Sequence, residues 1–233
     1  VTYAQLRTRI AQILGLAGGT AENSEEWTMT GDVVNQAVVD LLSRTRINVR
    51  CAQVVLTANE RLYELADQVL RAHYLRYPTG EEILQVAPSD ITRSGGGTFS
   101  VVGHNGFRLG WDPGSNGQGM TLSFDYTPYP APMSQDTDDP SLAQFGNVPD
   151  EFHPALIDYS CWMLADYAKD AASGRGEVYR TRYEGKAGIG EPGSWIGRIR
   201  MDTNLRFTGV HHGRMRSGQE QLVGDTTPDY WVG

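Results

Sequence analysis

The spacing of apolar residues changes twice along the chain: helical to about residue 46, strand-like from about 52 to 128, and helical again after Val148. A chain of that order has to segregate helices from a sheet, because neither period can bury its apolar positions in a layer built for the other. Tyr3, Leu6, Ile10, Ile13 and Leu14 form one stripe, and GLAGG ends that helix. In the next helix Val33, Val34, Ala37, Val38, Leu41 and Leu42 keep the same period, with Thr28 or Thr30 as its cap. Helices this short are marginal alone and must pack on something.

The middle third reads as strands. AQVVLTA, RLYEL, VLRAHYLRY, FSVVG, FRLGW and MTLSFDY are β-branched or aromatic runs separated by turn-formers. GHNG at 103–106 suits a tight hairpin, and DPGSNGQG at 112–119 a longer turn. Pro149 and Asp150 then open the strongest helix, which SGRG at 173–176 breaks before a second one forms a helical hairpin with it. The expected fold is therefore α+β: a helical bundle of two N-terminal helices and a C-terminal helical hairpin, with an inserted antiparallel β meander and an extended C-terminal arm. Its core spans 1–187, with helices at 2–15, 30–46, 150–173 and 177–187 and the β insertion at 51–128, and the arm spans 188–233.

At 233 residues the chain can bury roughly 70% of its unfolded surface, enough for a core without staples. No apolar run approaches the roughly 18 residues of a membrane span, and VTYAQLRTRI is amphipathic, so neither export nor a membrane anchor is expected. Cys51 and Cys161 stand far apart outside any CxxC pattern, which predicts reduced thiols rather than a disulfide framework or a zinc site. A net charge of −8 argues against a general nucleic-acid-binding surface, since such binding is driven by counterion release from phosphates.

Residue patterns for chemistry are weak. GSNGQG lacks the Lys-Ser/Thr of a phosphate-binding loop and precedes a strand rather than a helix. Asp136, Asp138 and Asp139 suggest a calcium loop, but Pro140, Ser141 and Asn147 stand where its later ligands and glycine belong, so a solvated acidic loop is expected. His211 and His212 are adjacent and would point apart on any regular element. No GxSxG, HExxH or Cys-His spacing occurs, so no enzyme, cofactor or metal is expected.

The last 46 residues are too aromatic for a solvated tail, yet show no sustained period. Interfaces concentrate binding energy in aromatic and Arg anchors, which here makes Trp195, Ile196, Arg198, Arg200, Arg206, Phe207, Arg214, Arg216, Tyr230 and Trp231 the candidate partner-binding residues. On that reading, deleting 188–233 spares the core and abolishes assembly.

The order of these elements, with a few phrases, resembles the head-to-tail adaptor family of tailed bacteriophages. The phrases are the Thr2-Tyr3-Ala4-Gln5-Leu6 opening, Trp27-Thr28 before the second helix, MTLSFDYTPYPAPM leading into Val148-Pro149-Asp150-Glu151-Phe152-His153-Pro154, and the Tyr179–Tyr183 segment. The resemblance covers residues 2 to 187. It implies a non-enzymatic virion subunit of the neck between capsid and tail, assembled in the host cytoplasm as a ring that is commonly twelvefold. Implied partners are the portal protein, neighbouring copies in the ring and a downstream neck or tail protein, with genomic DNA passing through the lumen without sequence-specific contact and no membrane involved. A head-closure or tail-completion subunit is the alternative, and a virion cell-wall hydrolase or a carbohydrate-binding module are remoter ones.

Overall fold

The computed structural model describes residues 1–16, 24–91, 97–165, 174–186 and 190–212, the last nine of these by backbone alone. Helix α1 (Tyr3–Leu14) opens on a capping box in which the Thr2 hydroxyl accepts from Gln5 N while the Gln5 side chain accepts from Thr2 N, and Gly15 closes it at φ 68°. Helix α2 (Glu25–Arg44) starts earlier than its apolar stripe suggests. Ser24 is the cap, accepting from Trp27 N at 3.0 Å, whereas Thr28 and Thr30 turn their hydroxyls back onto the carbonyls of Ser24 and Glu26. Gly31 lets the Tyr3 ring lie directly on α2, where any Cβ would collide with the phenol.

Among the described residues seven strands follow: β1 (Arg50–Val55), β2 (Leu62–Glu64), β3 (Val69–Arg76), β4 (Glu82–Gln85), β5 (Thr98–Val102), β6 (Gly106–Leu109) and β7 (Thr121–Pro128). One helical turn, α3 (Gly114–Gly117), interrupts them inside the GSNGQG segment. After two single 3₁₀ turns come α4 (His153–Leu164), α5 (Gly176–Glu184) and α6 (Trp195–His212). Residues 166–173 and 187, where the reading above continued two helices, lie outside the described residues.

The expected helical bundle with a small meander and an extended arm is corrected in two respects. First, the strands form one nearly closed seven-stranded sheet in the order β1-β7-β3-β4-β5-β6-β2. β1 pairs with β7 rather than with its neighbour in sequence, and β4 and β5 run parallel, so this is not a meander. The closure encloses a core of its own, in which Leu56, Leu75, Phe99, Phe107, Leu109, Leu122 and Phe124 are buried. Alternation along β7 sends Leu122, Phe124 and Tyr126 into it. A meander covered on one face by helices would have left half of that surface wet. Second, Trp195–His212 is helix, not extended arm. Ile196 and Ile199 have no exposed surface and join α1, α2, α4 and α5 in the second, helical core.

The two cores meet along a seam of arginines. Arg71 on β3 donates to Ser43 O at 2.8 Å and Arg200 on α6 to Arg44 O at 2.9 Å, so two guanidinium groups satisfy carbonyls at the C-terminal end of α2, where partial negative charge favours cations. Arg46 reaches the Tyr74 hydroxyl at 2.6 Å, and Arg44 is held by Asp40 and Glu184. Tyr183, fully buried, donates to Asp40 Oδ2 at 2.7 Å.

His73 sits in this seam, 2.8 Å from the Thr127 hydroxyl. Burial first, then Arg71 and Arg46, lower its pKa from 6.5 to about 4. The unfolded chain therefore takes up the proton at higher pH than the folded one, and the stability contributed by neutral His73 is complete above 6.5 and lost as pH falls towards about 4. Denaturation midpoints measured across that window should fall with pH, and His73→Gln should flatten the slope.

Candidate assembly interface

The start of α6 is fixed by Ser194, whose hydroxyl accepts from Gly197 N at 3.1 Å and donates to Glu191 O at 2.7 Å. With that register Ile196, Ile199 and Thr203 point inward, and Trp195, Arg198 and Met201 face out. The Trp195 indole N–H donates to Asp158 Oδ2 on α4 at 2.7 Å, and the Arg198 guanidinium stands 4.6 Å from the ring centroid.

Around this pair lies a hollow of about 550 Å³. Arg9 and Ile13 come to it from α1, Asp158 from α4, Tyr179 and Arg182 from α5, and Trp195 and Arg198 from α6. Arg182 is 3.9 Å from Asp158 Oδ1 and lies beside the Tyr179 ring at 5.9 Å. Burial raises the Asp158 carboxyl pKa, against which the indole N–H and Arg182 act. Its two oxygens are thus already occupied, which leaves exposed Arg9 and Arg198 and the aromatic faces of Trp195 and Tyr179 as the groups that can take a ligand. Cations beside aromatic faces suit a peptide segment carrying both acids and aromatics.

Of the residues singled out from the sequence, Trp195 and Arg198 come together here. Ile196 is consumed by the helical core and Arg200 by the end of α2. Arg206 and Phe207 lie on the α6 backbone, while Arg214, Arg216, Tyr230 and Trp231 lie outside the described residues. Sequence reasoning missed Arg9, Asp158, Tyr179 and Arg182 as parts of one surface. The available signal was Asp158, the single acid within the apolar run HPALIDYSCWML.

The cysteines fall as expected for free thiols: Cys51 is exposed, Cys161 is buried, and burial pushes the Cys161 thiol up to about 12. Replacing Cys51 with Ser should leave the melting temperature within a degree or two, whereas Cys161→Ser, which places a hydroxyl in the helical core, should cost about 1–3 kcal/mol in chemical denaturation.

No curated protein matches the chain. The family described as SU10 adaptor protein matches it over residues 1–206. That match runs through both cores, the arginine seam and the part of α6 that carries Trp195 and Arg198. The chain therefore belongs to the SU10 adaptor protein family, a family of phage head-to-tail adaptors, and is a structural component of the virion neck.

Proposed function

We propose that this chain is the adaptor subunit that docks on the portal protein, closes into a ring with copies of itself, commonly twelvefold in this family, and joins the portal to the next neck or tail protein around the DNA channel. The observation that carries the reading is the family match over residues 1–206. Two features support it. A closed ring needs two different faces per subunit, and the hollow between α1, α4, α5 and α6 offers an unspent aromatic-cationic face well away from the sheet interior. A net charge of −8 per subunit also suits a conduit through which DNA slides without being held.

The purified protein is expected to be a monomer or weak oligomer that assembles on portal particles, as light scattering and co-sedimentation would show. The paired change Trp195→Ala and Arg198→Ala should weaken portal docking by about 30-fold, the loss typical of a hot-spot cluster. Added salt should weaken docking only modestly, because buried contacts are less screened than surface charge. A stable ring at micromolar concentration without portal, or unchanged docking by the double variant, would count against the reading.

A further inference from the structure

We propose that Asp139, Asp150 and His153 form a binding site for a divalent transition-metal ion, with His153 Nδ1 and one oxygen from each carboxylate as ligands. The three ligand atoms lie within 4.8 Å of one another. They come from the acidic loop before Pro140, the 3₁₀ turn Asp150–Phe152 and the first residue of α4.

His153 is the independent pointer. It is 1% exposed, and its Nε2 lies 3.1 Å from Val148 O, a carbonyl that can only accept, so Nε2 carries the proton and in the neutral imidazole Nδ1 keeps its lone pair. That Nδ1 is buried with no hydrogen-bond partner and faces Asp150 Oδ1 at 3.5 Å. A lone pair aimed at a carboxylate oxygen is repulsive until a cation comes between them. The 3.5 Å separation is close to that of two ligands on a tetrahedral ion with bonds of about 2.0–2.2 Å. The hydrogen bond from Nε2 to a backbone carbonyl is the arrangement that fixes a ligating imidazole.

A divalent ion would draw on both carboxylates and the imidazole together. Imidazole with carboxylates favours zinc and its first-row neighbours over magnesium. The ion would fasten the acidic loop, which accepts from Tyr3 N and Ala4 N of α1 through Asp138 O and Asp136 O, to the start of α4.

The test uses the full chain with ZnCl₂ and MgCl₂, read by calorimetric titration and thermal melting. One zinc per chain and a raised melting temperature are expected, with a much weaker response to magnesium. Asp150→Asn alters a side chain that is 72% exposed, so the fold is retained, and His153→Gln preserves a donor towards Val148 O while removing the imidazole nitrogen. Each should weaken zinc binding at least tenfold, and His211→Ala with His212→Ala should leave it unchanged. Absence of zinc binding by the unmodified chain, retention of full affinity in Asp150→Asn, or loss only in the His211/His212 variant would each overturn the assignment.

Discussion

Deleting residues 188–233 is expected to unfold the helical half of the molecule, not merely to disable assembly. Ile196 and Ile199 have no exposed surface and close the helical core between α1, α4 and α5. Truncating a single buried Ile costs about 2–5 kcal/mol. The deletion removes both, strips Asp158 of its indole donor and Arg44 O of its guanidinium, and leaves those polar groups half-buried. The total rivals the roughly 5–15 kcal/mol that holds a whole domain together. Circular dichroism of the truncated chain should show lost helix and no cooperative melt near the parent temperature. Cutting after His212 instead keeps every contact described above, so that chain should melt cooperatively and is the right reagent for asking what 213–233 contributes to docking. A cooperative parent-like melt after the cut at 187 would show that α6 is dispensable to the core.

Phe124→Ala should be the most damaging single substitution in the sheet. Phe124 is fully buried and its ring meets Phe99 at 5.9 Å, Phe107 at 5.0 Å and Tyr126 at 5.5 Å, so it ties β5, β6 and β7 together across the interior. A Phe-to-Ala cavity costs about 3–5 kcal/mol, and for a chain of this size each kcal/mol lowers the melting temperature by about 2–4 °C. A fall of roughly 6–20 °C is therefore expected in a thermal melt, with Phe124→Leu, which leaves a smaller void, falling much less. Equal losses for the two variants would mean that the aromatic cluster is not what holds the sheet closed.

How much of this was legible depends on the range of the interaction that decides it. AQVVLTA, RLYEL and VLRAHYLRY correctly mark β1, β2 and β3, because side-chain alternation is local. The pairing of Arg50 with Tyr126, or of Leu84 with Thr98, is not local, and without it a closed sheet and an open meander read alike. Helix α6 was hidden for a different reason. WIGRIRMDTNLRFTGVHH holds two glycines, three β-branched aliphatics and two threonines, all poor helix formers, so packing of Ile196 and Ile199 against the other helices outweighs propensity. The same division holds at the surface. Trp195 and Arg198 could be named from composition, but Asp158 stands 37 residues before its indole partner, and Asp139 is separated by a proline-bounded loop from the imidazole it faces.

The pairing of β1 with β7 also decides how the molecule bears load. The sheet hangs from the helices by these two strands, which leave side by side at Arg50 and Tyr126 with hydrogen bonds lying across the strand direction. A pull that separates sheet from helices draws both strands in the same direction, so those bonds are not loaded against one another. Mechanical resistance has to come from the guanidinium contacts of Arg71 and Arg200 at the end of α2. Under such a pull the molecule would yield first at these arginines, with both apolar interiors still intact.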